Sequence, residues 1–171
     1  MQIIRKTVLK EAFDWGKTLL LYIGIALLIR FFILNISVVP TGSMIPTIQI
    51  RDKIIVLKFS YWFKPIQRGD IVVFKSPYKK GMLMVKRVVG MEGETILIRD
   101  GELFINDKHQ PEPYIYRPMK EDFGPYTIPE NGFFVMGDNR NNSYDCRQWE
   151  KKYITRDMII GKAVYKFGAL R

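Results

Sequence analysis

The sequence predicts a mainly β body of antiparallel sheets with one N-terminal transmembrane helix. Three observations carry that expectation. Beyond Ile36, β-branched and aromatic residues come in short runs separated by turn residues, without helical periodicity. One apolar tract precedes them near the N-terminus. Hydrophobic residues make up 47% and aromatics 13% of 171 residues, enough for a core and far from a disordered composition. A chain of this length holds one domain plus a short extra element.

The apolar tract, Thr18 to Leu34, reads TLLLYIGIALLIRFFIL, seventeen residues with one charge, Arg30. That is the short end of a bilayer span. Arg5, Lys6, Lys10 and Lys17 precede it, so the positive-inside tendency puts the N-terminus in the cytoplasm. Arg30 lies near the far end, where its side chain can snorkel to the headgroups. A buried core helix and a cleavable signal peptide are the alternatives. Against the second, Asn35-Ile36-Ser37-Val38-Val39-Pro40 offers no small-x-small cleavage site. The expected organisation is a cytoplasmic segment 1–17, an anchor 18–35 and an extracytoplasmic β-rich domain 36–171.

Candidate strands are Lys53–Leu57, Asp70–Phe74, Met82–Val89, Thr95–Ile98, Glu102–Ile105, Gly132–Met136 and Ile159–Lys166. Asp100-Gly101 marks a tight hairpin and Asn131-Gly132 another turn. From Lys108 to Pro129 the chain holds five of the nine prolines, so a long irregular loop without chemistry is expected. Arg68-Gly69-Asp70 reads as a turn into a strand.

The formal net charge of +10 asks for an anionic partner. The basic residues are dispersed and no nucleic-acid motif is present, so a phospholipid surface is expected and nucleic acid is not. Between Lys58 and Lys64, Tyr61-Trp62-Phe63 suits either insertion into a membrane interface or core packing. One cysteine, Cys146, rules out an internal disulfide, and one histidine, His109, leaves too few soft ligands for zinc. No metal or other cofactor is expected. A His-based nucleophile system would have to use His109, which sits in a polar stretch that reads as a surface loop.

Pro40-Thr41-Gly42-Ser43-Met44-Ile45-Pro46-Thr47 presents a hydroxyl at a backbone bend, though serines in such turns are usually turn formers. Without histidine, its base would be a lysine kept neutral by burial. Met82 to Val89 is apolar on both faces except for Lys86 and Arg87, and alternation groups Lys86 with Met82, Met84 and Val88. Of the two, lysine alone can serve as a neutral base. An edge strand with both charges in solvent remains the alternative. The third stretch, Gly137 to Arg147, is dense in polar side chains that can lock a loop. In it Asp145 and Arg147 could pair, and Ser143 could hold a lysine amine. Asp138 and Asp145 are thin for calcium.

These stretches together resemble the bacterial type I signal peptidases, from the anchor to Lys166. Gly42-Ser43-Met44 with Pro46-Thr47 is similar to that family's nucleophile box, Val85-Lys86-Arg87-Val88-Val89-Gly90 to its general-base box, and Gly137–Arg147 to its third box. Arg68 to Phe74 resembles the strand between the first two. The resemblance implies the family's antiparallel catalytic fold and a membrane-bound serine endopeptidase that removes signal peptides from secreted preproteins. Ser43 would be the nucleophile and Lys86 the general base, with Ser143 orienting Lys86 and Thr41 helping the Ser43 N–H bind the oxyanion. Asp138, Arg140, Asp145 and Arg147 would brace the third box. Val39, Met44, Met84 and Val85 would line shallow pockets for the small residues at the first and third positions before the cut. The resemblance also implies the bacterial cell membrane as location and makes the translocation machinery a candidate partner. Roughly fifty residues between Lys86 and Gly137 match the compact form of Gram-positive bacteria. Cys146, where serine is common, is expected to have no role. Rival readings are a self-cleaving Ser/Lys repressor-type protease and a catalytically silent tethered β-domain.

Overall fold

The computed structural model describes residues 2–30 and 34–167. In chain order, α1 spans Gln2–Leu28, β1 Leu34–Val38, β2 Lys53–Leu57, α2 Ser60–Phe63, β3 Ile71–Lys75 and β4 Leu83–Gly90. There follow β5 (Thr95–Arg99), β6 (Glu102–Ile105), β7 (Lys108–His109), β8 (Phe123–Thr127), β9 (Gly132–Met136), β10 (Ile154–Thr155) and β11 (Ile159–Phe167). Among the described residues the strands form a seven-stranded sheet, β1-β2-β11-β3-β4-β9-β10, and a four-stranded sheet, β7-β6-β5-β8. All pairings are antiparallel.

Alternation along the strands sorts the core into two. Val72, Phe74, Met84 and Val88 join Ile96, Ile98, Phe134 and Trp149 in the larger cluster. Val73, between Val72 and Phe74, instead joins Val39, Met44, Ile48, Ile54 and Val56 in a smaller one. The seven-stranded sheet is thus buried on both faces around β3 and β4, which explains the continuous apolar runs there. The Asp100-Gly101 hairpin has φ of 54° and 82°, the left-handed geometry such a tight turn needs.

The stretch Lys108–Pro129 is less irregular than expected, because it contains β7 and β8. Pro125 argues against a strand, yet β8 lies at the edge of its sheet, where the missing N–H leaves no pairing broken. Its partner β5 aligns Thr95 with Thr127 and Ile96 with Tyr126.

α1 runs for 27 residues, starting upstream of the expected anchor. No described helix is long and apolar enough to cross a membrane. Residues 31–33 of the apolar tract lie outside the described residues, and from Leu34 the chain is already β1, pairing with β2 from Leu34–Leu57 to Val38–Lys53.

Candidate active site

Ser43 sits in the loop from β1 to β2. The Val39 N–H donates to the Asp52 carbonyl at 2.9 Å and the Arg51 N–H donates to the Val39 carbonyl at 2.7 Å, which pins the two loop ends together. The buried Asp52 carboxylate accepts the Gln49 N–H at 2.8 Å and shapes the return. Met44 and Ile48 plug into the smaller core, which fixes the adjacent Ser43 at its rim.

Lys86 stands in the middle of β4, on the face of Met84 and Val88, as alternation required. It is only 3% exposed. Its Nζ lies 2.6 Å from Ser43 Oγ. Burial lowers the pKa of this amine to about 8, aided by the Arg147 charge and opposed by the Asp145 and Asp138 carboxylates. A neutral amine at this distance can accept a hydroxyl proton, which is what activating a serine requires.

Arg87, on the opposite face, is held quite differently. Its Nε and Nη2 donate to the two oxygens of Asp138 at 2.8 and 2.7 Å. Tyr114 lies under the guanidinium with its ring centre 4.0 Å away. The Thr47 hydroxyl donates to the same Asp138 carboxylate and so ties the Ser43 loop to this pair.

The third stretch is stitched to Ser43 through its backbone. The Asn139 N–H donates to the Ser43 carbonyl at 3.0 Å, and its side-chain amide donates to the Gly42 carbonyl at 3.0 Å. A Cβ on residue 137 would overlap both Ser143 Oγ and the Ser43 carbonyl, so glycine is required there. The Gly137 N–H donates to Asp145 at 3.0 Å, and Arg147 grips that carboxylate through Nε and Nη2 at 2.9 and 3.0 Å. Arg140 forks onto both oxygens of Glu112. Every buried charge in this block except Lys86 has an opposite partner within hydrogen-bond reach, as low dielectric demands.

Ser43 and Lys86 are therefore brought together, with Asp138, Arg140, Asp145 and Arg147 in paired positions around them. Ser143 reaches the same corner through its contact with Gly137, but its hydroxyl is buried with no hydrogen-bond partner, so a bond to Lys86 is not made in this structure. Thr41 is exposed two residues before Ser43. Val39, Met44 and Met84 are buried, and Val85 is half-buried on the Arg87 side of β4. His109 is half-exposed on β7 in the other sheet, 3.6 Å from Glu102. Cys146 is buried, its Sγ accepting the Val135 N–H at 3.2 Å, and burial pushes its thiol pKa well up. Among the described residues no group of three or more His, Cys, Asp or Glu side chains could hold a metal.

The family model described as signal peptidase, peptidase S26, matches residues 12–167. The chain belongs to that family. As a member, it is a serine peptidase of the signal peptidase class. It is 41% identical over 159 residues to a signal peptidase I of Leptolyngbya laminosa, covering 88% of this chain and 77% of that one. To signal peptidase I T of Bacillus subtilis it is 37% identical over 164 residues, covering 90% and 84%. The crystal structure of a signal peptidase I from Enterococcus faecalis aligns with a TM-score of 0.52 at 31% identity, covering 59% of this chain and 98% of that one.

Sequence reasoning missed Glu112 and Tyr114 in this signal peptidase family site, and gave Thr47 and Asn139 no role of their own within the stretches that hold them. Glu112 and Tyr114 lie in the stretch expected to carry no chemistry, and Glu112 is the partner of buried Arg140. Counting charges would have found it. Arg87, Arg140 and Arg147 need three carboxylates once buried, and the third stretch supplies only Asp138 and Asp145.

Proposed function

We propose that the chain is a membrane-anchored endopeptidase that removes signal peptides from exported preproteins, with Ser43 as nucleophile and Lys86 as general base. The observation that carries this reading is the 2.6 Å approach of Ser43 Oγ to a buried amine. Neutral Lys86 takes the Ser43 proton as Oγ bonds to the scissile carbonyl carbon. The Ser43 N–H, helped by Thr41, stabilises the oxyanion. The Lys86 ammonium then protonates the leaving amine as the C–N bond breaks. Water activated by the same amine hydrolyses the acyl-serine and restores Ser43. Ser143, buried beside Gly137 with a free hydroxyl, is suited to orient the amine.

The substrate lies extended along β4. β3 covers one edge of Leu83–Arg87, whereas β9 covers the other only from Arg87 onward, so the edge at Leu83–Lys86 is free to add a strand. Val39, Met44, Met84 and Val85 line this region, and the burial of the first three fits shallow sites that admit only small side chains before the cut.

The apolar tract from residue 18, up to where β1 begins at Leu34, anchors the protein in the bacterial cell membrane, with 1–17 cytoplasmic and 36–171 on the outer side. In support, α1 leaves Leu19, Leu20, Leu21 and Leu27 exposed, surface that acyl chains would cover. Trp62 and Phe63 are 64% and 80% exposed beside Lys64, an arrangement suited to the phospholipid interface, while Tyr61 belongs to the core. Secreted preproteins, and with them the translocation machinery, are the partners this location supplies.

The test is cleavage of a preprotein bearing an Ala-x-Ala site by full-length protein in detergent, read by product mass. Wild type should cut after the second alanine, and Ser43→Ala and Lys86→Met should not, while remaining folded. Activity surviving in Lys86→Met would refute the dyad. Release of the full chain from membranes by carbonate would refute the anchor.

A further inference from the structure

The segment between β7 and β8 takes no part in the chemistry above, yet it is strapped across the residues that do. Gln110 to Pro118 reads QPEPYIYRP. Each proline fixes its own φ and biases the residue before it toward extended backbone, so Glu112 and Tyr114 stand on a stiff carrier that loses little entropy on folding. Glu112 accepts both terminal nitrogens of Arg140, and its Oε1 also accepts the Tyr114 hydroxyl at 2.7 Å. The Arg140 and Glu112 side chains are 0% and 4% exposed, so this ion pair is out of water. The far end of the strap is tied to the third stretch as well. The Asn141 amide donates to the Pro118 carbonyl and its oxygen accepts the Lys120 N–H, both at 2.9 Å.

Two paths lead from the strap to the contact between Ser43 and Lys86. On one, Arg140 Nε donates to the Gly137 carbonyl at 3.1 Å. Gly137 is the residue whose missing side chain lets Ser143 Oγ and the Ser43 carbonyl close in. On the other, the Tyr114 ring lies under Arg87, the residue after Lys86 on β4. Arg87 is held by Asp138, which also accepts the Thr47 hydroxyl from the Ser43 loop. Because Tyr114 and Glu112 are bonded to each other, the two paths start from one point. Both partners of the 2.6 Å contact therefore depend on the same strap. Beyond burial, the groups that act most on the Lys86 amine are Asp145, Asp138, Arg147 and Cys146. None of these is on the strap, which thus reaches the amine through position rather than through charge.

We propose that Glu112 and Tyr114 are positioning residues for the reaction, which fix the third stretch and β4 relative to each other and so hold Ser43 Oγ within reach of Lys86. The assignment rests on Ser43 and Lys86 being the dyad. It gives the four-stranded sheet, which carries neither of them, a task in the reaction, namely to present the strap. A misplacement of about 1 Å between reacting groups can cost about a hundredfold in rate, so loosening the strap lowers turnover before it touches substrate binding.

The experiment measures kcat and KM of the full-length protein in detergent on a preprotein with an Ala-x-Ala site, across about pH 6 to 10. The variants are Glu112→Gln, Tyr114→Phe and, as a control for stability alone, Ile98→Ala in the core of the same sheet. Rates are referred to the folded fraction read from urea unfolding. Glu112→Gln should lower kcat about ten- to hundredfold with KM within about twofold, and Tyr114→Phe, which keeps the ring under Arg87, about two- to fivefold. A looser corner admits water to the amine, so in both variants the acid limb of the kcat profile should move up toward the ordinary lysine range. Ile98→Ala should lower the urea midpoint and leave kcat and the limb in place. An equal loss of kcat in Ile98→Ala would overturn the assignment, as would wild-type kcat and limb in the two strap variants. Should Glu112→Gln fail to fold, Tyr114→Phe decides alone. Failure of wild type to cut would overturn the dyad reading on which the assignment rests.

Discussion

Lys86 and Arg87 are neighbours on β4, yet the two faces of the strand treat their charges in opposite ways. Arg87 is clamped by both oxygens of Asp138 and covered by Tyr114. Lys86 is buried without a carboxylate hydrogen-bonded to it, and its nearest polar neighbour is a hydroxyl. One cation becomes a fixed strut and the other gives up its proton easily. The difference lies in the partner supplied rather than in burial itself.

The largest effect should come from giving the Lys86 face a charge it cannot shed. A guanidinium stays protonated at any working pH, so Lys86→Arg should lower cleavage by about a thousandfold, measured against Ser43→Ala as the floor. A rate near that of wild type would dissolve the contrast between the faces.

Next in size is the loss of the clamp on the other face. Asp138→Asn leaves the Arg87 guanidinium short of its counter-charge, and stability should fall by about 3–5 kcal/mol, read as a lower urea midpoint at unchanged slope. A shift within error would mean that the pair contributes nothing to holding the loops.

The smallest effect sharpens the comparison through pH. The folded pKa of Lys86 is about 8 against its ordinary 10.5, so between those values the folded protein binds fewer protons than the unfolded chain and wild-type stability gains from rising pH. Below about pH 8 the buried charge costs most, and there Lys86→Met should exceed wild type by up to about 3 kcal/mol. That advantage should shrink steadily toward pH 10.5. A gain independent of pH would show that packing, not desolvation of the charge, sets the difference.

Much of this architecture could be read from the chain, and the exceptions have identifiable causes. Strands β2, β6 and β9 fall where alternation and flanking turns place them. β8 was hidden by Pro125, because a sequence does not announce which strand will lie at an edge. β1 was hidden by the apolar tract it continues. At the site, alternation grouped Lys86 with Met84 and Val88, but which face would be dry depended on packing across β3 and β9. Glu112 was invisible locally, since its partner Arg140 lies 28 positions away. Tyr61, Trp62 and Phe63 look alike in sequence, and only the fold sends the first inward and the others to the surface.

The missing space at Gly137 has a consequence in time. The amide of Asn139 holds a carbonyl 97 positions earlier, at Gly42, so the pocket closes only after most of the chain has been made. Ser43 is among the first residues of the β body to be synthesised, yet its scaffold waits for residues 137–147. Until then it is an ordinary hydroxyl in a turn. A peptidase assembled in this order is harmless to its own unfinished chain, and competence arrives together with the completed fold.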